Sequence, residues 1–430
     1  MADILRQIIA ANRAGWPVAI PSVCTAHPQA LEASLTLAEG LDQPLVVEAT
    51  SNQVNQDGGY TGLTPADFIR FVTDIAASAG VRRDRILFGG DHLGPQAWRR
   101  LPADQAMAKA HRMVADYAAA GFTKMHLDCS EGCAGEPAQL PDEMTAARSA
   151  ALAATALGAA PDPAALLFVI GTEVPPPGGA RSDDHGDIAP TTLAPTTRAS
   201  ATATLAAHDA AFRAAGLAHV LPQIGGLVVQ PGVEFSPMEV HPLPLARDPG
   251  LLAALQDWPG VCLEAHSTDY QHPDVYPRLA ELGFAFQKVG PALTFAWREA
   301  LYALDALRAQ AGWATGPGLP DEMEAVMLAD PAHWQGHYRG ISAAPRLERH
   351  FGLADRIRYY WPQTRARAAV ARLFADLDGR QLPGPALHAH FSEAEIALAR
   401  QSPHSLPQAL AIARVQSALR PYFFNPGPRP

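Results

Sequence analysis

Cysteine is scarce: Cys24, Cys129, Cys133 and Cys262 are the four in 430 residues, too few for a disulfide framework. Three residues separate Cys129 from Cys133, which is not the CxxC spacing of a zinc ribbon or a redox pair. This usage predicts a reducing compartment. Positive charge is also short. With 33 Lys and Arg against 43 Asp and Glu, the formal net charge is −10, so neither nucleic acid nor an anionic membrane surface is an expected partner. No apolar run approaches membrane-spanning length, and the opening Met-Ala-Asp-Ile-Leu-Arg-Gln has no basic region followed by an apolar core. A cytoplasmic protein is the expectation. No GxGxxG opens a first βα turn, and no P-loop or Gly-rich nucleotide loop occurs, so kinase chemistry finds no support.

What is present is ample core material, 48% hydrophobic residues, arranged as a repeating alternation. Strand candidates run over Val18–Val23, Leu45–Glu48, Ile86–Gly94, Lys124–Asp128, Leu166–Ile170, Val261–Glu264 and Phe284–Val289. A sixth strand, marked by Val228-Val229 with Val220 and Leu221 upstream, is less clean. Helical patterns precede and separate them, at 3–14, 28–41, from Thr64, from about Pro102 to Gly121, and at 141–157, 200–215, 273–282 and 291–311. Thr64-Pro65-Ala66-Asp67 opens its helix with an N-cap, a proline at the first position and an acid at the positive dipole end. Eight strands alternating with helices predict an α/β fold, a (β/α)8 TIM barrel over residues 1–311, with an open doubly wound sheet as the alternative. Residues 312–430 predict a helical extension packed on the barrel. The Pro/Gly-rich stretch 174–197 reads as a lid or subunit contact, and Asn425–Pro430 as a frayed tail.

Polar residues gather at the predicted C-terminal strand ends, where βα-barrel enzymes keep their chemistry. They include Glu48 with Asn52 and Gln53, Asp91-His92, Asp128 with Ser130, Glu173, Gln230, and Glu264 with His266, Ser267 and Asp269. Helix caps and turns also favour Asp and Ser, which accounts for Asp269 about as well as function does. It accounts less well for a paired Asp-His and a strand-top His266. Histidines converging from separate strands, with carboxylate or amide oxygen, suit a borderline metal ion, and dense amides suit a polyhydroxylated ligand. His27, His126, His185 and His241 read individually as core, lid or surface histidines.

The segments Val23-Cys-Thr-Ala-His-Pro28, Glu48 to Gln56, Gly89-Gly-Asp-His-Leu-Gly-Pro95, Phe122 to Asp128, Gly171-Thr-Glu-Val-Pro175, Ala265-His-Ser-Thr-Asp-Tyr-Gln271 and Arg356-Ile-Arg-Tyr-Tyr-Trp361 resemble the GatZ/KbaZ family. The resemblance covers most of residues 18–361. It implies carbohydrate metabolism, either as the non-catalytic, stabilising subunit of a class II D-tagatose-1,6-bisphosphate aldolase or as a metal-dependent ketohexose 4-epimerase. Some members have been labelled tagatose 6-phosphate kinase. More distantly the chain is similar to the zinc-dependent class II aldolases, which implies Asp91 as acid/base and His92 and His266 as metal ligands. At the sixth strand Gln230 stands where a histidine is expected, so Gln230 and Glu173 are the candidates for a third ligand.

Together these readings set the expectations. A divalent ion, zinc first and manganese, nickel or cobalt as alternatives, is held by His92, His266 and one of Glu173 or Gln230. Asp91, Asp128 and Glu173 do acid/base work, while Glu48, Asn52, Gln53, Ser130, Ser267 and Asp269 bind a ketohexose or its phosphate. The expected partners are a second copy of the chain and, on the stabilising-subunit reading, a class II aldolase catalytic subunit. No phosphate loop follows the strand-seven histidine, which predicts an unphosphorylated ketohexose, unless Arg356, Arg358 and Tyr359-Tyr360 fold over the mouth to grip a phosphate.

Overall fold

The structure, a computed structural model, describes residues 2–172, 194–338 and 344–424. Eight parallel strands close into a barrel in sequence order: β1 (Ile20–Cys24), β2 (Leu45–Thr50), β3 (Ile86–Leu93), β4 (Lys124–Leu127), β5 (Leu167–Gly171), β6 (Ile224–Val228), β7 (Cys262–Ala265) and β8 (Phe284–Val289). The TIM-barrel expectation holds. Around it run α2 (Pro28–Gly40), α3 (Pro65–Ser78), α4 (Ala103–Ala120), α5 (Asp142–Ala159), α6 (Arg198–Ala214), α7 (Val275–Glu281) and α8 (Pro291–Gln310). Local chemistry fixes the boundaries. Thr64 Oγ1 accepts from the Asp67 N–H while the Asp67 carboxylate accepts from the Thr64 N–H, a reciprocal cap that starts α3. Gly121, at φ 102°, ends α4 in the left-handed region.

One boundary differs from the sequence reading. Strand six is Ile224-Gly-Gly-Leu-Val228, whereas Val220 and Leu221 lie in a short 3-10 turn. Gly225 and Gly226 disguised it. A Cβ on Gly225 would meet Leu167 at 2.7 Å, and one on Gly226 would meet Val169 at 3.0 Å, so the strand is thinned to admit its neighbour's side chains.

Two apolar cores result. The larger lies between the strands' outer faces and the helices. The smaller fills the lower barrel interior with Ile20, Val46, Leu87, Leu167, Val169, Cys262 and Phe286, and Leu5 and Ile9 of α1 (Ala2–Arg13) close that end. Beyond α8 follow α9 (Leu319–Ala329), α10 (Ala344–Phe351), α11 (Thr364–Leu377), α12 (Gly384–His388), α13 (Glu393–Arg400) and α14 (Leu406–Leu419). α14 packs on α8 and α2, and Arg308 of α8 donates to Asp376 of α11 at 2.8 Å. No helix of the described residues is long and apolar enough to cross a membrane.

Candidate active site

Alternation along the strands places every second residue inside the barrel. On β4 that face carries Lys124 and His126, with Asp128 following; on β7, Glu264, with His266 following; on β2, Glu48; on β3, Asp91; on β8, Lys288. All but His92, which is 15% exposed at the rim, are nearly or fully buried. The three histidine rings converge, with centroids 5.0 Å (His92–His126), 5.1 Å (His92–His266) and 5.3 Å (His126–His266) apart. Gly89 makes room: a Cβ there would sit 2.9 Å from the Glu48 side chain. Gly94 lets β3 pass the next strand, since its Cβ would fall 1.7 Å from the Asp128 carbonyl oxygen.

The lowest polar layer is a buried triad. Lys124 Nζ donates to Glu48 Oε1 at 2.6 Å and lies 2.7 Å from Glu264 Oε2. Burial would lower the Lys124 pKa, but both carboxylates outweigh it and hold the ammonium charged. Above it, Asp91 is ion-paired with Lys288 and meets His126 Nδ1 at 3.0 Å. Burial alone would raise Asp91, yet the charges of His92 and Lys288 and the His126 bond keep its carboxyl well below the usual range. His126 also faces the Gly171 carbonyl through Nε2 at 3.0 Å. The His92 N–H donates to the same Nδ1 at 3.3 Å, so that nitrogen has a donor as well as a carboxylate beside it. The His126 pKa is raised because Asp91 overcomes the burial penalty.

The other two rings are backed by carboxylates. His92 Nδ1 donates to Asp128 Oδ2 at 2.9 Å, and His266 Nε2 lies 3.0 Å from Glu264 Oε1. Burial, followed by the Lys288 charge, pushes His266 down to about 3, so its imidazole is neutral. Ligand atoms of Asp91, His92 and His266 lie within 4.8 Å of one another. This set fits a divalent ion on three observations. Its donors are nitrogen and carboxylate oxygen, and both rings are oriented by carboxylates as metal-binding histidines are. Moreover, four buried carboxylates (Glu48, Asp91, Asp128, Glu264) face two ammonium groups (Lys124, Lys288), which leaves net negative charge even with His126 protonated. His92, Asp128 and His126 form a second close group, but both His126 nitrogens are engaged, Nδ1 by Asp91 and the His92 N–H and Nε2 by the Gly171 carbonyl. His92 (φ 47°) and Ser267 (φ 51°), the latter next to His266, hold left-handed backbone that costs a β-carbon residue about 1–3 kcal/mol.

Several residues expected from sequence stand elsewhere than a ligand-facing wall. Glu48 is committed to the triad beneath the site. Ser130 donates through both N–H and Oγ to Asp128 Oδ1 at 3.0 and 2.6 Å. With His92 on the other oxygen, Asp128 is fully occupied as a positioning group. Asp269 Oδ1 accepts from the Gly290 and Ala292 N–H groups at 3.0 and 2.8 Å, capping α8. Gln230 Oε1 accepts from the Gly232 N–H at 2.8 Å and so folds back on its own turn. Gln53 is buried and accepts from Thr50 N–H at 2.9 Å, Asn52 is exposed, and Ser267 is buried beside His266. Glu173, His185 and residues 174–193 lie outside the described residues, as do 425–430. His27 caps α2, as a structural histidine. His126, Lys124 and Lys288 were the residues whose importance sequence reasoning undervalued. Their signal is the period-two spacing Lys124-x-His126-x-Asp128 and Glu264-x-His266.

With the geometry in place, comparison with known proteins is informative. The chain is 44% identical to a D-tagatose 6-phosphate 4-epimerase of Agrobacterium fabrum over 432 aligned positions, 98% of each protein. It is 46% identical to a solved protein of Sinorhizobium meliloti described as a probable tagatose 6 phosphate kinase, with a TM-score of 0.84 over 94% of this chain and 99% of that one. A model of the family described as D-tagatose-1,6-bisphosphate aldolase subunit GatZ/KbaZ-like matches residues 5–425, and the protein belongs to that family.

Proposed function

We propose that the protein is a divalent-metal-dependent epimerase that inverts C4 of a ketohexose by breaking and remaking the C3–C4 bond. The observation that carries this reading is the convergence of Asp91, His92 and His266, with a carboxylate behind each ring. When bound, the ion, zinc by its donor set, supplies Lewis-acid polarisation of the ketose carbonyl and adjacent hydroxyl. Asp91 accepts the C4 hydroxyl proton as the C3–C4 electron pair moves into the ketose half, leaving an aldehyde at C4. After the aldehyde turns its other face, the pair returns, the bond reforms and Asp91 gives the proton back. Lys288 and His126 hold Asp91 ionised and aimed, so the acceptor is ready before the sugar arrives. Asp128 and Glu264 fix the two rings. A purely stabilising role beside a class II aldolase would need surface, and gives no reason to bury two lysines and four carboxylates.

The test is epimer formation from fructose, tagatose and their 6-phosphates by the purified, zinc-loaded protein, followed by chromatography, with metal content measured alongside. Asp91→Asn is expected to lose about 10²–10⁴ in kcat, whereas His92→Ala and His266→Ala lose the metal. Undiminished turnover by Asp91→Asn would overturn the assignment.

A further inference from the structure

Breaking C3–C4 carries a risk that an epimerase has to control. Between cleavage and re-formation the sugar is two three-carbon pieces, and a piece that leaves ends the turnover as aldol cleavage. Retention depends on what closes the mouth over them.

The C-terminal extension roofs part of that mouth with the 3-10 turn Arg356–Tyr360. The Tyr359 ring meets Tyr60, from the loop after β2, edge to face at 4.7 Å. Tyr60 hydrogen-bonds the Gln53 side chain. The Cys24 sulfur, at the end of β1, lies 3.8 Å from Gln53 Oε1 and 3.7 Å from Asp91 Oδ2. The two tyrosines thus bridge the mouth above the proton acceptor, with Gln53 and Cys24 between. Arg358 beside them is balanced from two sides, by Asp355 of its own turn and by Asp269 after β7.

Both ends of the bridge are tied down. His333 stacks on the Tyr359 ring at 5.0 Å, and the Arg358 and Arg356 guanidinium carbons lie 4.5 and 5.0 Å from its centre. Arg358 also donates to the Tyr359 hydroxyl at 2.9 Å. The turn is latched to the barrel: the Asp355 carboxylate accepts from Thr294 Oγ1 at 2.6 Å and Arg298 Nε at 3.2 Å. Tyr270 donates to the Leu353 carbonyl at 2.6 Å. On the other side the Tyr60 N–H donates to the Asn52 carbonyl at 3.0 Å, and Thr61 Oγ1 to the Gln53 carbonyl at 2.7 Å.

We propose that the Tyr359–Tyr60 bridge decides the outcome of the reaction: it retains the aldehyde fragment, so that the bond reforms instead of the sugar being cleaved. This rests on the epimerase reading and deepens it. With the bridge in place the aldehyde turns its other face without leaving. With it removed the aldehyde departs, and C3 of the enediolate takes the proton that Asp91 received from the C4 hydroxyl. One ketohexose then becomes one dihydroxyacetone and one glyceraldehyde, with no other reactant needed.

The test is a ratio, triose released per epimer formed, from tagatose and from its 6-phosphate on the zinc-loaded, full-length protein. Tyr359→Ala and, independently, Tyr60→Ala are each expected to raise that ratio about tenfold or more over wild type. Tyr359→Phe, which keeps the ring in its stack, is expected to leave the ratio where it was. Carbon-13-labelled glyceraldehyde, or its 3-phosphate with the phosphorylated sugar, gives a second readout. The alanine variants should draw it from solution into hexose, and wild type should not. Both readouts compare products of the same active molecules, so partial loss of folded protein does not mimic the effect. A ratio unchanged in both alanine variants, with epimer and triose falling together, would overturn the proposal and leave the epimerase reading standing. So would a wild type that exchanges labelled aldehyde as fast as it epimerises. A wild type that makes no epimer from either sugar would instead remove the epimerase reading, and the bridge's role with it.

Discussion

The lower and upper halves of the barrel interior come from the same strands and the same alternation, yet they hold together by opposite means. Two residues along the inward face, Val46 gives way to Glu48, Cys262 to Glu264 and Phe286 to Lys288. The lower half, plugged by Leu5 and Ile9, is stabilised by burial that is indifferent to the identity of a neighbour, about 1.5–3 kcal/mol for each large apolar side chain. The upper half works only as a set. Every buried charge there costs several kcal/mol to desolvate and is tolerable because its partner is within hydrogen-bond reach. A protein selected for stability alone would have continued the apolar packing to the rim. The difference marks where the barrel stops being a core and becomes a site.

The comparison breaks most easily at Lys124. Lys124→Met leaves Glu48 and Glu264 buried without their shared ammonium group, and is expected to destabilise the fold by about 3–5 kcal/mol. Leu87→Ala, its counterpart below, is expected to cost a similar or smaller amount, about 2–5 kcal/mol, through lost transfer energy and a cavity. Denaturant titration at two pH values separates them. The Lys124→Met loss should shrink as acid protonates the two carboxylates, whereas the Leu87→Ala loss should not change with pH. Equal pH dependence would mean that the triad is not the stabilising unit described above.

How much of this was legible beforehand follows from what each signal depends on. Helix boundaries set by local chemistry, such as the Thr64–Asp67 cap and Gly121, could be read directly, because capping needs only neighbours in sequence. The Asp91-His92 tip and His266 were visible as polar residues ending apolar strands. Strand six was misplaced because Gly225-Gly226 makes sense only against Leu167 and Val169 of the adjacent strand. His126 was read as a bland histidine, and Asp269 and Glu48 as ligand contacts, for a related reason. Which inward residue faces another across a closed barrel depends on register, and register is not a local property.

A smaller effect is expected at the ring supports. Asp128→Asn keeps the shape of the side chain but weakens the hydrogen bond to His92 Nδ1 and loses the charge. Metal affinity should fall about 10–100-fold, with stability little changed. Competition with a chromogenic chelator measures it, and an unaltered affinity would place His92 outside the metal's ligands.

The smallest effect concerns Asp269, and it has a sign opposite to that of its neighbours in the site. Burial pushes its carboxyl up to about 6, partly offset by the Ala292 and Gly290 N–H groups, against about 3.9 in an unfolded chain. A raised folded pKa means that the native state holds the proton longer than the unfolded one. Its contribution to stability is therefore present below about pH 4 and is lost as pH rises through 6. Asp91, Asp128 and Glu264, with depressed values, behave the other way, gaining stability as pH rises out of the strongly acid range. Asp269→Asn can still accept the two N–H bonds through its amide oxygen but does not titrate. Measured against wild type by denaturant unfolding, the variant should gain about 2 kcal/mol in relative stability between pH 4 and pH 7. A difference constant across that window would mean that Asp269 is ionised throughout in the folded protein. The α8 cap would then carry a fixed negative charge.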